Sequence, residues 1–114
     1  MAGPVKRILI ADDHDIIRRG VRALLETRSD VLVVAEASTG REALAAARET
    51  MPDIAIIDYS LPELNGHDLT VAMKRELPWT EILIYTMYDR ESMILGVLRA
   101  GARGFILKSE TEEH

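Results

Sequence analysis

Ile54-Ala55-Ile56-Ile57-Asp58 runs four apolar residues into a single carboxylate. A short continuous apolar run is how a buried parallel strand reads in sequence. Open α/β sheets place their chemistry beyond the carboxyl ends of such strands, where Asp58 stands. Ile8-Leu9-Ile10-Ala11 ends the same way, in Asp12-Asp13. Three acids at the ends of two hydrophobic strands must be explained by any reading of this chain.

The rest of the sequence alternates apolar runs with helical patterns, as a parallel sheet with crossover helices requires. Ile16, Ile17, Val21, Leu24 and Leu25 recur at helical spacing, with Arg18, Arg19, Arg22 and Glu26 between them as a solvated face. Val31-Leu32-Val33-Val34-Ala35 is a β-branched second strand. Thr39-Gly40-Arg41-Glu42 spells a capping box, in which Thr39 accepts from the Glu42 N–H and Glu42 reaches back. The alanine-rich helix after it ends near Met51, ahead of Pro52. Pro62 and Asn65-Gly66 mark turns after Asp58. Leu69, Ala72, Met73 and Leu77 trace a third helix, closed by Pro78. Ile82-Leu83-Ile84-Tyr85 is a fourth strand ending in Thr86. Asp89 is placed to cap a helix containing Met93 to Leu98, whose apolar run suits either core or a signalling interface. Gly101 and Gly104 bracket its exit, and Phe105-Ile106-Leu107 is a fifth strand ending in Lys108.

Composition sets the bounds. The 114 residues suffice for one domain with its own core. Hydrophobic residues at 47% and charged residues at 29% are ordinary for a globular protein. With no cysteine there is no disulfide, zinc-thiolate or thiol nucleophile, which fits a reducing, cytoplasmic setting. No apolar run approaches the ~18 residues of a membrane span, and the N-terminus lacks a signal-peptide layout. A net charge of −5 argues against this domain gripping a nucleic-acid backbone itself.

Parallel strands bring their carboxyl ends to one edge, so Asp12, Asp13, Asp58, Thr86 and Lys108 should converge. Clustered carboxylates raise one another's pKa unless a cation joins them. Hard oxygen ligands with no His or Cys expected beside them favour Mg²⁺. Metal, ammonium and hydroxyl together suit phosphoryl transfer, and a carboxylate can itself be the nucleophile. Taken singly, each residue has a plainer role: Asp12-Asp13 as a helix cap, Asp58 as a turn acid, Thr86 as a satisfied strand hydroxyl, Lys108 as a solvated charge. Their joint placement at four strand ends is what favours a site. His14 reads as a turn residue and Trp79 as a surface packing residue.

The segment from Ile8 to Ser109 resembles the receiver domain of two-component response regulators. Asp12-Asp13-His14, Arg19-Gly20-Val21 and Ala100-Gly101-Ala102-Arg103-Gly104-Phe105 are similar to the NarL/FixJ (LuxR-type) branch. The resemblance implies a flavodoxin-like, doubly wound five-stranded parallel sheet in the order 2-1-3-4-5. It implies Asp58 as phosphoacceptor, Mg²⁺ (or Mn²⁺) held by Asp13, Asp58 and the Ser60 carbonyl with Asp12 acting through water, and Thr86 and Lys108 on the phosphoryl oxygens. Thr86 and Phe105 would form the switch. The implied partners are a sensor histidine kinase, a second copy on activation, and a C-terminal helix-turn-helix DNA-binding domain that residues 1–114 do not contain.

Some positions depart from the family's commonest choices. Phe105 stands where many members have Tyr, so it would switch by packing alone. Met87 replaces a small residue beside Thr86 and would slow access to Asp58, while Ser60 and Tyr88 lie where dephosphorylation is tuned. Ser109 follows Lys108 in place of a proline; a cis bond there would cost about 3–4 kcal/mol, so trans is expected. Receivers carry a fifth helix after the fifth strand, and Ser109 to His114 is too short for one of ~11 residues. That truncation would leave the side of the sheet beside the first helix under-covered and prone to associate. Two other functions remain open here. A phosphohydrolase would need a second acid two residues beyond the nucleophile, where Ser60 stands; a degenerate receiver would bind partners without phosphorylation.

Overall fold

The computed structural model describes residues 4–86 and 90–107. Five parallel strands, β1 (Lys6–Ala11), β2 (Val31–Ala37), β3 (Ile54–Asp58), β4 (Glu81–Thr86) and β5 (Gly104–Leu107), lie in the order β2-β1-β3-β4-β5. Among the described residues four helices connect them: α1 (Asp15–Glu26), α2 (Gly40–Thr50), α3 (Gly66–Glu76) and α4 (Glu91–Arg99). The alternation of apolar runs predicts the parallel sheet with crossover helices, and the family resemblance implies this flavodoxin-like strand order. The tail expected to be too short for a fifth helix falls outside the described residues, as do Met87, Tyr88, Asp89, Lys108 and Ser109.

Alternation along the strands divides the apolar residues between two faces. Leu9, Ala11, Ala55, Ile57, Ile82 and Ile84 point into one core with Ala43 and Ala47 of α2, Leu69 and Met73 of α3, and Val97 of α4. Ile8 and Ile10 are buried on the opposite face, where α1 packs on β1 and β2. On that face Ile54, Ile56 and Leu83 are half-buried and Ile106 is exposed. α1 is less simply amphipathic than its sequence suggests. Ile17, Val21 and Leu25 turn toward the sheet, whereas Ile16 and Leu24 are 86% and 73% exposed.

β2 carries a register shift against β1. Ile8 pairs with Val33 but Leu9 pairs with Ala35, so Val34 is an extra residue. The extra residue reverses the facing of everything after it. Ala35 and Ala37 turn to the α2 side and join its core, and Glu36, opposite Ile10, turns to the α1 side.

The helix ends correct several details of the sequence reading. Thr39 caps α2 by accepting from the Glu42 N–H at 3.0 Å, as the capping box requires. The Glu42 carboxylate, however, takes the Ser38 hydroxyl at 3.2 and 3.3 Å, a nearer donor than the backbone it was expected to reach. Asn65-Gly66 is a helix start: Asn65 accepts from the Asp68 N–H at 2.9 Å, and Gly66 opens α3. Arg90 holds the N-cap position of α4 without a side-chain cap bond. Gly104 belongs to β5, and Gly101, at φ +115°, makes the turn out of α4.

Gly20 sits mid-helix in α1, and a Cβ placed there would meet nothing within 4 Å. Gly20→Ala should therefore raise stability by roughly 0.5–1 kcal/mol through helix propensity and reduced unfolded-state entropy. A thermal melt should show a gain of a few degrees.

Candidate functional site

β1 and β3 are paired neighbours, so their carboxyl ends deliver Asp12 and Asp58 side by side. Both carboxylates are buried, while Asp13 is partly exposed at the rim. Asp12, Asp13, Asp58 and His14 each offer a ligand atom, and all four atoms lie within 4.8 Å of one another. The acids expected to converge are brought together. Thr86 follows at the end of β4, buried, one residue beyond the Tyr85 that pairs with Asp58. Phe105 lies on β5 opposite Ile84 with its ring partly in solvent. Ser60 is exposed in the turn after β3 and donates its N–H to Asp58 Oδ1 at 3.2 Å. Lys108 lies outside the described residues.

Several residues that the sequence left in minor roles help to build this site. His14 is more than a turn residue. Its backbone N–H donates to Asp12 Oδ1 at 2.8 Å, and its Nδ1 lies 3.0 Å from Asp12, 3.2 Å from Asp13 and 3.9 Å from Asp58. The imidazole thus stands among the three acids. Arg18 is not part of a solvated face either. With only 16% of its side chain exposed, it donates to the Asp12 carbonyl at 2.7 Å, to Asp15 at 2.8 Å and to Glu36 at 3.1 Å. Burial opposes its charge, but the bonds to Asp15 and Glu36 prevail and hold the guanidinium pKa above its usual value. Arg22 also pairs with Glu36, so the residue turned over by the β2 bulge anchors both arginines.

Tyr85, taken in the sequence as a plain strand residue, is buried with its hydroxyl donating to Asp12 Oδ2 at 2.5 Å. Burial first, and the Asp12 carboxylate second, push the phenol pKa well above its ordinary value. The Tyr85–Asp12 and Arg18–Glu36 contacts have no sequence signature, because each depends on which strands become neighbours.

The loop from Tyr59 to Asn65 is held at close quarters. Tyr59 donates to the Tyr85 carbonyl at 3.1 Å and accepts from the Gly66 N–H at 2.8 Å. Gly40 donates to the Pro62 carbonyl at 3.0 Å. A Cβ on Gly40 would fall 1.9 Å from the Leu64 carbonyl oxygen, and one on Gly66 would fall 2.7 Å from Tyr59 Cα. Only glycine lets α2 and α3 start this near the loop that follows Asp58.

Chemically, three carboxylates with one imidazole at the rim suit a hard divalent cation, Mg²⁺ or Mn²⁺. The donor set fits such an ion.

The response regulator receiver domain model matches residues 8–114. The chain belongs to that family. It is 40% identical over 94% of its length to the uncharacterized transcriptional regulatory protein YhcZ of Bacillus subtilis, of which it spans 50%. Among solved structures it resembles the receiver domain of the putative response regulator NarL of Mycobacterium tuberculosis, at TM-score 0.88 and 34% identity over 93% of this chain and 86% of that one. A LuxR-family response regulator of Aurantimonas gives TM-score 0.87 and 40% identity over 92% and 75%. The receiver therefore falls in the NarL/LuxR-type branch. It spans about half the length of the curated relatives it matches. No described helix is long and apolar enough to cross a membrane.

Two outcomes test this geometry. Gly40→Ala should destabilise the fold by roughly 1–3 kcal/mol, the usual range for overpacking, in a chemical denaturation series. The raised Tyr85 pKa makes the folded receiver keep a proton that the unfolded chain releases near pH 10. Its stabilising contribution is complete below about pH 10 and fades as pH rises further. Metal-free Tyr85→Phe should lose stability less steeply than wild type above that pH.

Proposed function

We propose that this receiver is a phosphorylation-activated switch whose phosphoacceptor is Asp58. The observation that carries the reading is the gathering of Asp12, Asp13 and Asp58 at one sheet edge, within ligand distance of one another, in a chain of the receiver family.

A phosphohistidine of a sensor kinase, or a small acyl-phosphate, is the donor. An Asp58 oxygen attacks phosphorus, the acyl-phosphate bond forms, and the P–N or P–O bond of the donor breaks as its leaving group departs. Asp13, Asp58 and the Ser60 carbonyl would hold Mg²⁺ (or Mn²⁺), with Asp12 acting through water. The ion supplies charge neutralisation for the carboxylates and the incoming phosphoryl oxygens. Around it, the Ser60 N–H fixes one Asp58 oxygen, and the strand pairing fixes the carboxylate's distance from β1. Thr86 and Lys108 would take the phosphoryl oxygens.

As Thr86 moves toward the phosphoryl group, Phe105, now partly in solvent, would turn inward. The outer surface of α4 and β5, where Leu95, Leu98 and Ile106 are exposed, would change with it. In the whole protein that surface change would favour a homodimer and release a C-terminal helix-turn-helix domain to regulate transcription in the cytoplasm. The domain here would not bind nucleic acid itself, and would catalyse only its own phosphotransfer and slow autodephosphorylation.

Ser60, standing where a hydrolase would need its second acid, favours this reading over rapid turnover. Incubation with Mg²⁺ and acetyl phosphate should give a single acid-labile phosphoryl adduct by mass spectrometry. Asp58→Asn should give none. Continuous phosphate release at many turnovers would point to a hydrolase, and no adduct on the wild-type chain would point to a phosphorylation-independent binding module.

A further inference from the structure

Asp12 is the buried member of the acidic pair, and the distribution of donors around it is specific. Its carbonyl takes the Arg18 guanidinium at 2.7 Å, and its Oδ1 takes the His14 N–H at 2.8 Å. Its Oδ2 takes the Tyr85 hydroxyl at 2.5 Å, the length of a charge-assisted O–H···O⁻ bond. Tyr85 makes two further connections. Its backbone carbonyl accepts from Tyr59, the residue after the phosphoacceptor, and the next residue along β4 is Thr86. One residue on β4 therefore touches the acidic pair through its side chain and the Asp58 loop through its backbone.

We propose that Tyr85 is a positioning residue of the cation and phosphoryl site, its hydroxyl fixing Asp12 in the one orientation that lets the acidic pair and Asp58 share an ion. This rests on the reading of the acid cluster as the receiver's metal site. A carboxylate with a free χ2 would turn to lessen its repulsion from Asp13 and Asp58. The phenol holds it in place, and its buried ring sets where the hydroxyl lies. Partners that orient metal-holding side chains in this way are typically worth 10–100-fold in metal affinity. The same bond makes β4 sensitive to the ion. A shift of Thr86 toward a phosphoryl group would carry Tyr85, and with it Asp12.

Tyr85→Phe keeps the ring and removes the hydroxyl. Calorimetric titration of the unphosphorylated chain with Mg²⁺ should show a Kd weakened about 10-fold. The Mg²⁺ concentration that half-saturates acetyl phosphate labelling should move by a similar factor. Asp12→Ala removes the partner, so adding Tyr85→Phe to it should change the Kd no further, as a double-mutant cycle requires of residues acting through one contact. An unchanged or tighter Mg²⁺ Kd in Tyr85→Phe would overturn the assignment. So would an equal loss in the Asp12→Ala background, which would mark a general structural effect. A wild-type chain that binds Mg²⁺ but accepts no phosphoryl group would sink the phosphoacceptor reading and leave the Tyr85 result standing on its Kd. A wild-type chain that binds no Mg²⁺ would overturn both.

Discussion

The crowding of like charge at the carboxyl edge of β1 and β3 governs this molecule. Two unit charges 4 Å apart repel by about 4 kcal/mol at the dielectric of a partly wet site. A hydrogen bond to a charged group offers about 1.5–3 kcal/mol. One donor cannot balance such a cluster; several can. The chain provides them from different elements: the His14 and Ser60 N–H groups from two turns and the Tyr85 hydroxyl from β4. The position of α1, the closeness of the Asp58 loop and the choice of a tyrosine on a core strand all serve to keep acids together that would otherwise separate.

How readily each feature was legible depended on whether its cause is local. Ile54 to Asp58 is apolar enough to be nothing but a buried strand, and its predicted limits match β3 residue for residue. Strand order followed from family likeness, and the convergence of Asp12, Asp13 and Asp58 followed from parallel strands ending at one edge of the sheet. Strand ends were less visible, because Lys6 and Glu81 are polar residues recruited by pairing with neighbours rather than by burial. Arg18 shows the limit most clearly. In a helical pattern it counts as a charged outward residue. Its carbons and guanidinium fold back along α1 to a carbonyl at the strand end, which no periodicity encodes. Tyr85 was hidden for the same reason, its partner being 73 residues away across a fold the sequence does not draw, whereas His14 meets Asp12 through a local turn and only Asp58 through the fold.

Rigidity and freedom are divided among the helices around the sheet. On the side of α2 and α3, glycine contacts and alanine packing leave little room between helix starts and the Asp58 loop. On the other side α1 rests lightly, with Ile16 and Leu24 outward. α4 presents Leu95 and Leu98 to solvent while only Val97 is buried. A switch needs this asymmetry: a fixed frame for the reacting groups, and elements whose packing is cheap to rearrange.

The bulge at Val34 makes the length of β2 as informative as its composition. Glu36 meets Arg18 and Arg22 only because one surplus residue inverts the facing of the strand's second half. Arg18 in turn carries the Asp12 carbonyl. A strand of the same length paired regularly, with Val34 opposite Leu9 and Glu36 opposite Ala11, would keep every side chain of the site and every apolar residue of the core. It would nonetheless send Glu36 into the alanine layer beneath α2 and strand two guanidinium groups above the sheet. Among relatives of this receiver, a second strand of this length that lacks the bulge should therefore travel with changes at positions 18, 22 and 36. An alignment that slides through the bulge without registering it would pair the wrong faces.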